Sequence, residues 1–197
     1  MNPNLPVIGI AGKARSGKDT VAGFISTYIP STRHSLADPI RGMLQAIGIN
    51  LNDEYWSTRK EEIIPALGKS PRQMMQTLGT EWGRKMVNPH IWIMMAHQRL
   101  LTSSDTLIVP DIRFTNESDW VRAMNGVMIH VDNPRVEEVS EHSSEKGVPR
   151  HGNDIVIVND STLEDLQATV KEICRGLTET RDSLHIPSPQ VTQRNPT

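Results

Sequence analysis

Nine residues near the amino terminus constrain this chain more than any other stretch: Gly12-Lys13-Ala14-Arg15-Ser16-Gly17-Lys18-Asp19-Thr20. They satisfy the pattern G-x-x-x-x-G-K, which carries weight only between a buried strand and a helix. Both flanks are present. Val7-Ile8-Gly9-Ile10 is a short apolar run after Pro6, the mark of a strand covered on both faces. Val21, Phe24, Ile25, Tyr28 and Ile29 recur at helical spacing until Pro30 ends the run. The two glycines let backbone N–H groups come close to a phosphate chain. The helix start adds the positive end of its dipole, and Lys18 can reach the β- and γ-phosphates. Residues 12–20 are therefore the candidate cradle for a nucleotide.

The remaining pattern extends this unit into an α/β domain. Residues 38–47 predict a short helix opened by Asp38 as its cap, with Pro39 in the first turn. Residues 50–70 read as loop with some helix around Arg59–Leu67. From Pro71, the spacing of Met74, Met75, Leu78, Trp82 and Met86 predicts one helical stripe, broken at Asn88-Pro89. His90–Leu101 is apolar around most of its circumference and predicts a buried helix. Beyond it the period changes. Leu107–Val109, Val127–Val131 and Ile155–Val158 predict three further buried strands, with helices near Glu117–Met124 and through Leu163, Leu166, Val170, Ile173 and Leu177. Strands separated by helices imply a parallel sheet covered on both faces.

The chain has 197 residues, which suits one domain, expected at 1–180, with a polar lid segment at about 133–151. The tail 181–197, rich in proline and poor in apolar residues, is expected to be disordered. Lys and Arg number 21 against 23 Asp and Glu, for a net charge of −2. That balance lacks the basic excess with which proteins coat nucleic acid, so stable nucleic-acid binding is not expected. The single cysteine, Cys174, can form no internal disulfide. No secretory signal and no apolar run of membrane-spanning length is visible. A soluble, cytosolic protein is the expectation.

GKARSGKDT, LADPIR (36–41), RQMMQTLGTEWGR (72–84), VPDIRFTNE (109–117) and HSSE (142–145) occur in that order. Together they resemble the deoxynucleoside monophosphate kinases of tailed bacteriophages, over residues 7–165. The resemblance implies a P-loop fold with a five-stranded parallel sheet and a mobile lid. It also implies transfer of the γ-phosphoryl group of ATP to a deoxynucleoside 5′-monophosphate with Mg²⁺, and a tendency to form homodimers. Two other readings stay open on the residues alone. One is a related kinase acting on hydroxymethylated pyrimidine within DNA; the other is a nucleotide-binding module without transfer activity. Against DNA as substrate stand Glu137, Glu138, Glu141 and Glu145 in the lid segment.

Asp19 stands where most such loops carry the Ser or Thr that binds Mg²⁺. Asp19 could hold the ion, Thr20 could act instead, or Asp19 could simply favour the helix start. Asp111, at the carboxyl end of a strand, could orient the metal or hold the acceptor. Capture of an acceptor phosphate asks for arginines away from the loop. Arg41 and Asp38 lie in LADPIR; Arg72 and Gln76 share a helical face, the first for phosphate and the second for a base edge. Arg113 could contact phosphate or restrain Asp111. From the lid segment, Arg135 or Arg150 could reach the transferring group. Lys18, Arg113 and Arg150 are the candidate catalytic residues. Asn116 and Glu117 read as helix-start residues, His142 as a solvated histidine, and Trp82 and Trp92 as core.

Overall fold

In the computed structural model, residues 5–136 and 147–182 are described. The expectations for Glu137, Glu138, Glu141, His142 and Glu145, and for the tail beyond 182, lie outside them. Five strands form one parallel sheet: β1 (Val7–Ala11), β2 (Ser31–Arg33), β3 (Thr106–Ile112), β4 (Val127–Asp132) and β5 (Ile155–Val158), in the order β2-β3-β1-β4-β5. The helices are α1 (Lys18–Tyr28), α2 (Asp38–Ala46), α3 (Glu54–Thr58), α4 (Pro71–Gln76), α5 (Ile91–Thr102), α6 (Thr115–Ala123) and α7 (Leu163–Asp182). A π-helix, Thr77–Val87, continues directly from α4.

Alternation along the strands fills two cores. Ile8, Ile10, Ile108, Ile129 and Val131 pack against Val21 and Ile25 of α1 and Leu166, Val170 and Cys174 of α7. Val7, Ala11, Leu107, Val109 and Met128 face Ile40 of α2, Trp92, Ala96 and Leu100 of α5, and Val121 of α6. The sheet is thus covered on both sides, as a parallel sheet must be. Leu44, Ile49 and Leu51 nucleate a smaller cluster beneath Trp56, Ile64 and Met74.

Several sequence expectations need correction. β2 was not legible: Ser-Thr-Arg has no apolar pattern, and it is a strand because it pairs with Thr106–Ile108 of β3. β3 runs on to Ile112, past Pro110. Gly9 pairs with Val109 but Ala11 with Ile112, so β3 holds an extra residue there, and a proline is tolerated at such a bulge. β5 is an edge strand, and Val156 and Val158 are exposed rather than buried. The N-cap of α2 is Ala37; Asp38 is the first helical residue and accepts a hydrogen bond from the Ser35 N–H instead. The helix expected around Arg59–Leu67 lies earlier, where Asp53 caps α3 by accepting from Tyr55 N–H. α5 is buried along one face only, with Met94, Met95 and Leu101 exposed.

The stripe holds through Met74, Met75 and Leu78, which pack on the cores, and fails at Trp82 and Met86 for a geometric reason. A π-helix closes bonds five residues apart, as Asn88 N–H does to the Gly83 carbonyl, so the α-period loses phase. Gly79, Thr80 and Gly83 consequently face inward, while Trp82 and Met86 turn to solvent. Trp92 is the core tryptophan; it lies against Gly83, and its indole N–H donates to the Gly79 carbonyl at 2.8 Å.

Candidate active site

β1 ends at Ala11, and the chain turns at once into the loop that opens α1. Gly12 (φ 153°) and Gly17 (φ 101°) both adopt backbone that favours glycine. A Cβ at Gly12 would lie 2.4 Å from the Val131 carbonyl oxygen, and one at Gly17 would lie 2.4 Å from Asn159 Nδ2. Asn159 in turn donates to the Ser16 carbonyl at 2.9 Å, tying the end of β5 to the loop. Arg15 also has positive φ, 62°, a conformation that costs a non-glycine residue free energy. Lys18 folds back over the loop and donates from Nζ to the Gly12 carbonyl at 2.8 Å and to that of Lys13. Ser16 is buried, and its Oγ has no hydrogen-bond partner among the described residues. An orphaned hydroxyl inside a glycine cradle at a helix start fits a phosphate chain.

The metal candidates divide. Asp19 is exposed in the first turn of α1 and pairs with Arg33 Nη2 at 2.9 Å; Thr20 is exposed beside it. Asp111 is tied to a neighbouring loop while still lining the cavity beside it. It accepts from Ser35 Oγ (2.5 Å), Leu36 N–H (2.9 Å) and Ala37 N–H (3.1 Å), so it fastens the loop between β2 and α2. Among the described residues no group of three or more His, Cys, Asp or Glu is placed to hold a metal. That donor set suits a Mg²⁺ shared between a single carboxylate and nucleotide phosphates, which is how Mg²⁺ is commonly held.

Beside Asp111 opens a cavity of about 200 Å³. It gathers most of the residues expected to take an acceptor: Arg41, Arg72, Gln76, Asp111 and Arg113 all line it. Asp38 is not in the lining but holds Arg41, whose Nη1 donates to Asp38 at 2.7 Å and to Ser35 Oγ at 3.0 Å. Leu36, Ile40, Leu51 and Met75 supply apolar wall. Arg72 pairs with Glu61 at the surface. Because parallel strands end on one edge, and Ala11 is in register with Ile112, this cavity and the glycine loop share the carboxyl edge of adjacent strands.

Arg150 lies apart from the cavity. Its Nη2 donates to both oxygens of Asp132, at 2.6 and 2.7 Å, at the carboxyl end of β4. Asp132 also accepts, through its carbonyl, the N–H of Asn159, so Arg150 stands on the loop side of the site. Arg135 donates to the Asp160 carbonyl nearby.

Sequence reasoning missed Lys60, Thr80, Arg84 and Phe114 of the cavity lining, and undervalued Glu117. Glu117 does stand in the first turn of α6, where it accepts the N–H of the N-cap residue Phe114, yet its side chain is only 1% exposed and pairs with Arg84. Burial pushes its carboxyl above the ordinary glutamate value, against the pull of Arg84 and of the Arg113 N–H. The one signal available was that Arg84 closes the GTEWGR stretch; its partner is 33 residues away.

A second buried cluster underlies the stretch that leads into β5. The Asp154 side chain is 3% exposed and accepts from Arg122 Nη2 (2.7 Å), Arg122 Nε (3.2 Å) and His151 N–H (2.9 Å), with His130 Nε2 at 2.9 Å. Burial alone would raise its carboxyl; the hydrogen bonds, led by Arg122, bring it well below the ordinary aspartate value.

The family described as "Deoxynucleotide monophosphate kinase" matches residues 6–64 and 51–170. The deoxynucleoside-5′-monophosphate kinase of Escherichia phage T5 is 34% identical, over 73% of this chain and 85% of its own. The deoxynucleotide monophosphate kinase of Enterobacteria phage T4 is 28% identical, over 88% of this chain and all of its own. That of Escherichia phage RB69 is 29% identical over 87% and 100%.

Proposed function

The chain belongs to the deoxynucleotide monophosphate kinase family, and from that membership we infer that it transfers the γ-phosphoryl group of ATP to a deoxynucleoside 5′-monophosphate. The observation that carries this is the pairing of the glycine loop with a cation-lined cavity on the same sheet edge. Phosphoryl transfer asks a protein mainly to place two anionic substrates in line and to offset developing charge.

Lys18 and the amides of residues 12–20 hold the donor phosphates. On binding, Lys18 exchanges the carbonyls of Gly12 and Lys13 for phosphate oxygens. Asp19 and Thr20 would hold Mg²⁺, which supplies charge neutralisation across the donor phosphates when bound. Asp111 acts on the acceptor side, by fixing residues 35–37. Arg41, Arg72 and Arg113 take the acceptor phosphate, and Gln76 faces the nucleoside. The pairs Arg41–Asp38, Arg72–Glu61 and Arg150–Asp132 are all substantially exposed, so parting them costs about 1 kcal/mol or less. A phosphate dianion offers the same fork a stronger partner. We assign to Arg150, on the donor side, the part of meeting charge on the transferring group.

The test is an ADP-release assay with ATP, Mg²⁺ and a panel of free deoxynucleoside monophosphates, alongside duplex DNA containing hydroxymethylated pyrimidine. Turnover with at least one free monophosphate and none with the DNA is expected. Transfer to the DNA with every monophosphate inert would reverse the assignment.

A further inference from the structure

Arg84 is a cavity cation with an unusual support. It is carried by the π-helix, a geometry that is rare and concentrates at functional sites. Its Nη1 donates to the Gly79 carbonyl at 2.8 Å and its Nη2 to Glu117 Oε1 at 2.5 Å. The guanidinium lies over the Phe114 ring, 4.2 Å from the centroid, and Phe114 itself lines the cavity. The other oxygen of Glu117 accepts the N–H groups of Arg113 (2.8 Å) and Phe114 (3.1 Å). One buried carboxylate therefore fixes the head of Arg84 together with the backbone that presents Arg113 and Phe114.

Capping a helix does not require this. An exposed carboxylate serves as well, whereas a buried one costs several kcal/mol unless its partners are well made. The arrangement leaves Arg84 different from its neighbours. Arg41 and Arg72 sit in exposed pairs that a phosphate can displace; Arg84 is balanced by a carboxylate that water does not reach. Its charge is already answered, so it is a weak anchor for a dianion. It still has directional donors, since among the described residues it makes two hydrogen bonds from a guanidinium's five N–H groups. Such donors, on a guanidinium held over an aromatic ring, suit the neutral acceptor atoms and the π-face of a nucleobase.

We propose that Arg84, stacked on Phe114, is a further acceptor-binding residue that contacts the base of the nucleotide, and that Glu117 is its positioning residue. The proposal rests on the kinase reading above. Arg84→Lys keeps the charge and loses the planar fork. Glu117→Gln keeps an oxygen for the two backbone N–H groups and cannot pair with Arg84. In each variant, the KM for the best deoxynucleoside monophosphate should rise about tenfold, the size of one charge-assisted hydrogen bond, with the KM for ATP within about twofold of wild type. The double variant should be no worse than the poorer single one, because both remove the same contact. Deoxyribose 5-phosphate, a competitor that lacks the base, should inhibit both variants and the wild type equally. Its inhibition weakening in step with the monophosphate KM would move Arg84 onto the phosphate and overturn the proposal. Unchanged KM values with a lowered Tm would reduce Glu117 to a structural cap and overturn it too. If Glu117→Gln fails to fold, Arg84→Lys alone decides. A wild-type enzyme inert toward every monophosphate removes the kinase reading, whereas an active wild type with indifferent variants removes only this proposal.

Discussion

Replacing Asp154 by alanine should destabilise the protein more than any change at the surface. The carboxylate receives a guanidinium, a backbone N–H and an imidazole, in a place where its own side chain is 3% exposed. Breaking a fully buried ion pair costs roughly 3–5 kcal/mol. The Arg122 side chain retains 19% exposure and can turn to water, which puts the change at the low end, about 3 kcal/mol. For a chain of this length each kcal/mol moves Tm by about 2–4 °C, so the expected fall is about 10 °C. Asp154→Asn keeps one acceptor oxygen and should fall between the two. The sign with pH follows from the lowered carboxyl. Unfolded, Asp154 takes its proton near the ordinary value of 3.8; folded, it holds out to lower pH. Its contribution is therefore complete above that ordinary value and is lost as pH falls through the folded one. Differential scanning fluorimetry from neutral pH to pH 2.5 should show a gap between wild type and Asp154→Ala that is constant above about pH 5 and narrows, without closing, below the ordinary aspartate value. A Tm loss under about 3 °C at pH 7, or a gap that persists unchanged in acid, would refute the reasoning, since a true buried pair cannot be that weak.

Two further outcomes are expected. Lys18→Ala should lower turnover by about 100-fold or more while leaving the Tm near wild type, since its ammonium acts on charge that develops during transfer; a folded variant with near-normal turnover would sink the loop assignment. Gly83→Ala should cost about 1–3 kcal/mol by overpacking, because the new Cβ would lie 2.4 Å from Trp92 Cζ2; a Tm equal to wild type in thermal melts would contradict that packing.

What could be read from the residues alone was local. The glycine loop, its strand and its helix occupy one continuous stretch, so spacing alone assigned them. β1, β4 and the central part of β3 announced themselves as β-branched runs. β2 could not, because Ser31, Thr32 and Arg33 become a strand only through β3 beside them. The phase of Trp82 and Met86 was misread because an apolar stripe assumes 3.6 residues per turn, and nothing in the composition marks a π-helix. Arg41, Arg72, Gln76, Asp111 and Arg113 were chosen on motif and helix spacing and do share a cavity. Arg84 and Glu117 were passed over because their importance lies in each other, across 33 residues of chain.

The cavity proposed for the acceptor has a consequence for how such an enzyme can be rebuilt. Apart from Asp111, Arg113 and Phe114, its lining comes from a single run of chain, Leu36 to Arg84, whereas the nucleotide loop is braced by Val131 and Asn159 from the far half of the sheet. On the proposed reading the two halves of the reaction are largely separate cassettes, joined at the sheet edge through Asp111, Arg113, Phe114 and Glu117. Exchanging residues 36–87 as a block between relatives is expected to transplant the choice of acceptor and leave the affinity for the phosphate donor where it was. The acceptor profile of such a chimera, read beside its KM for ATP, reports how cleanly the seam runs.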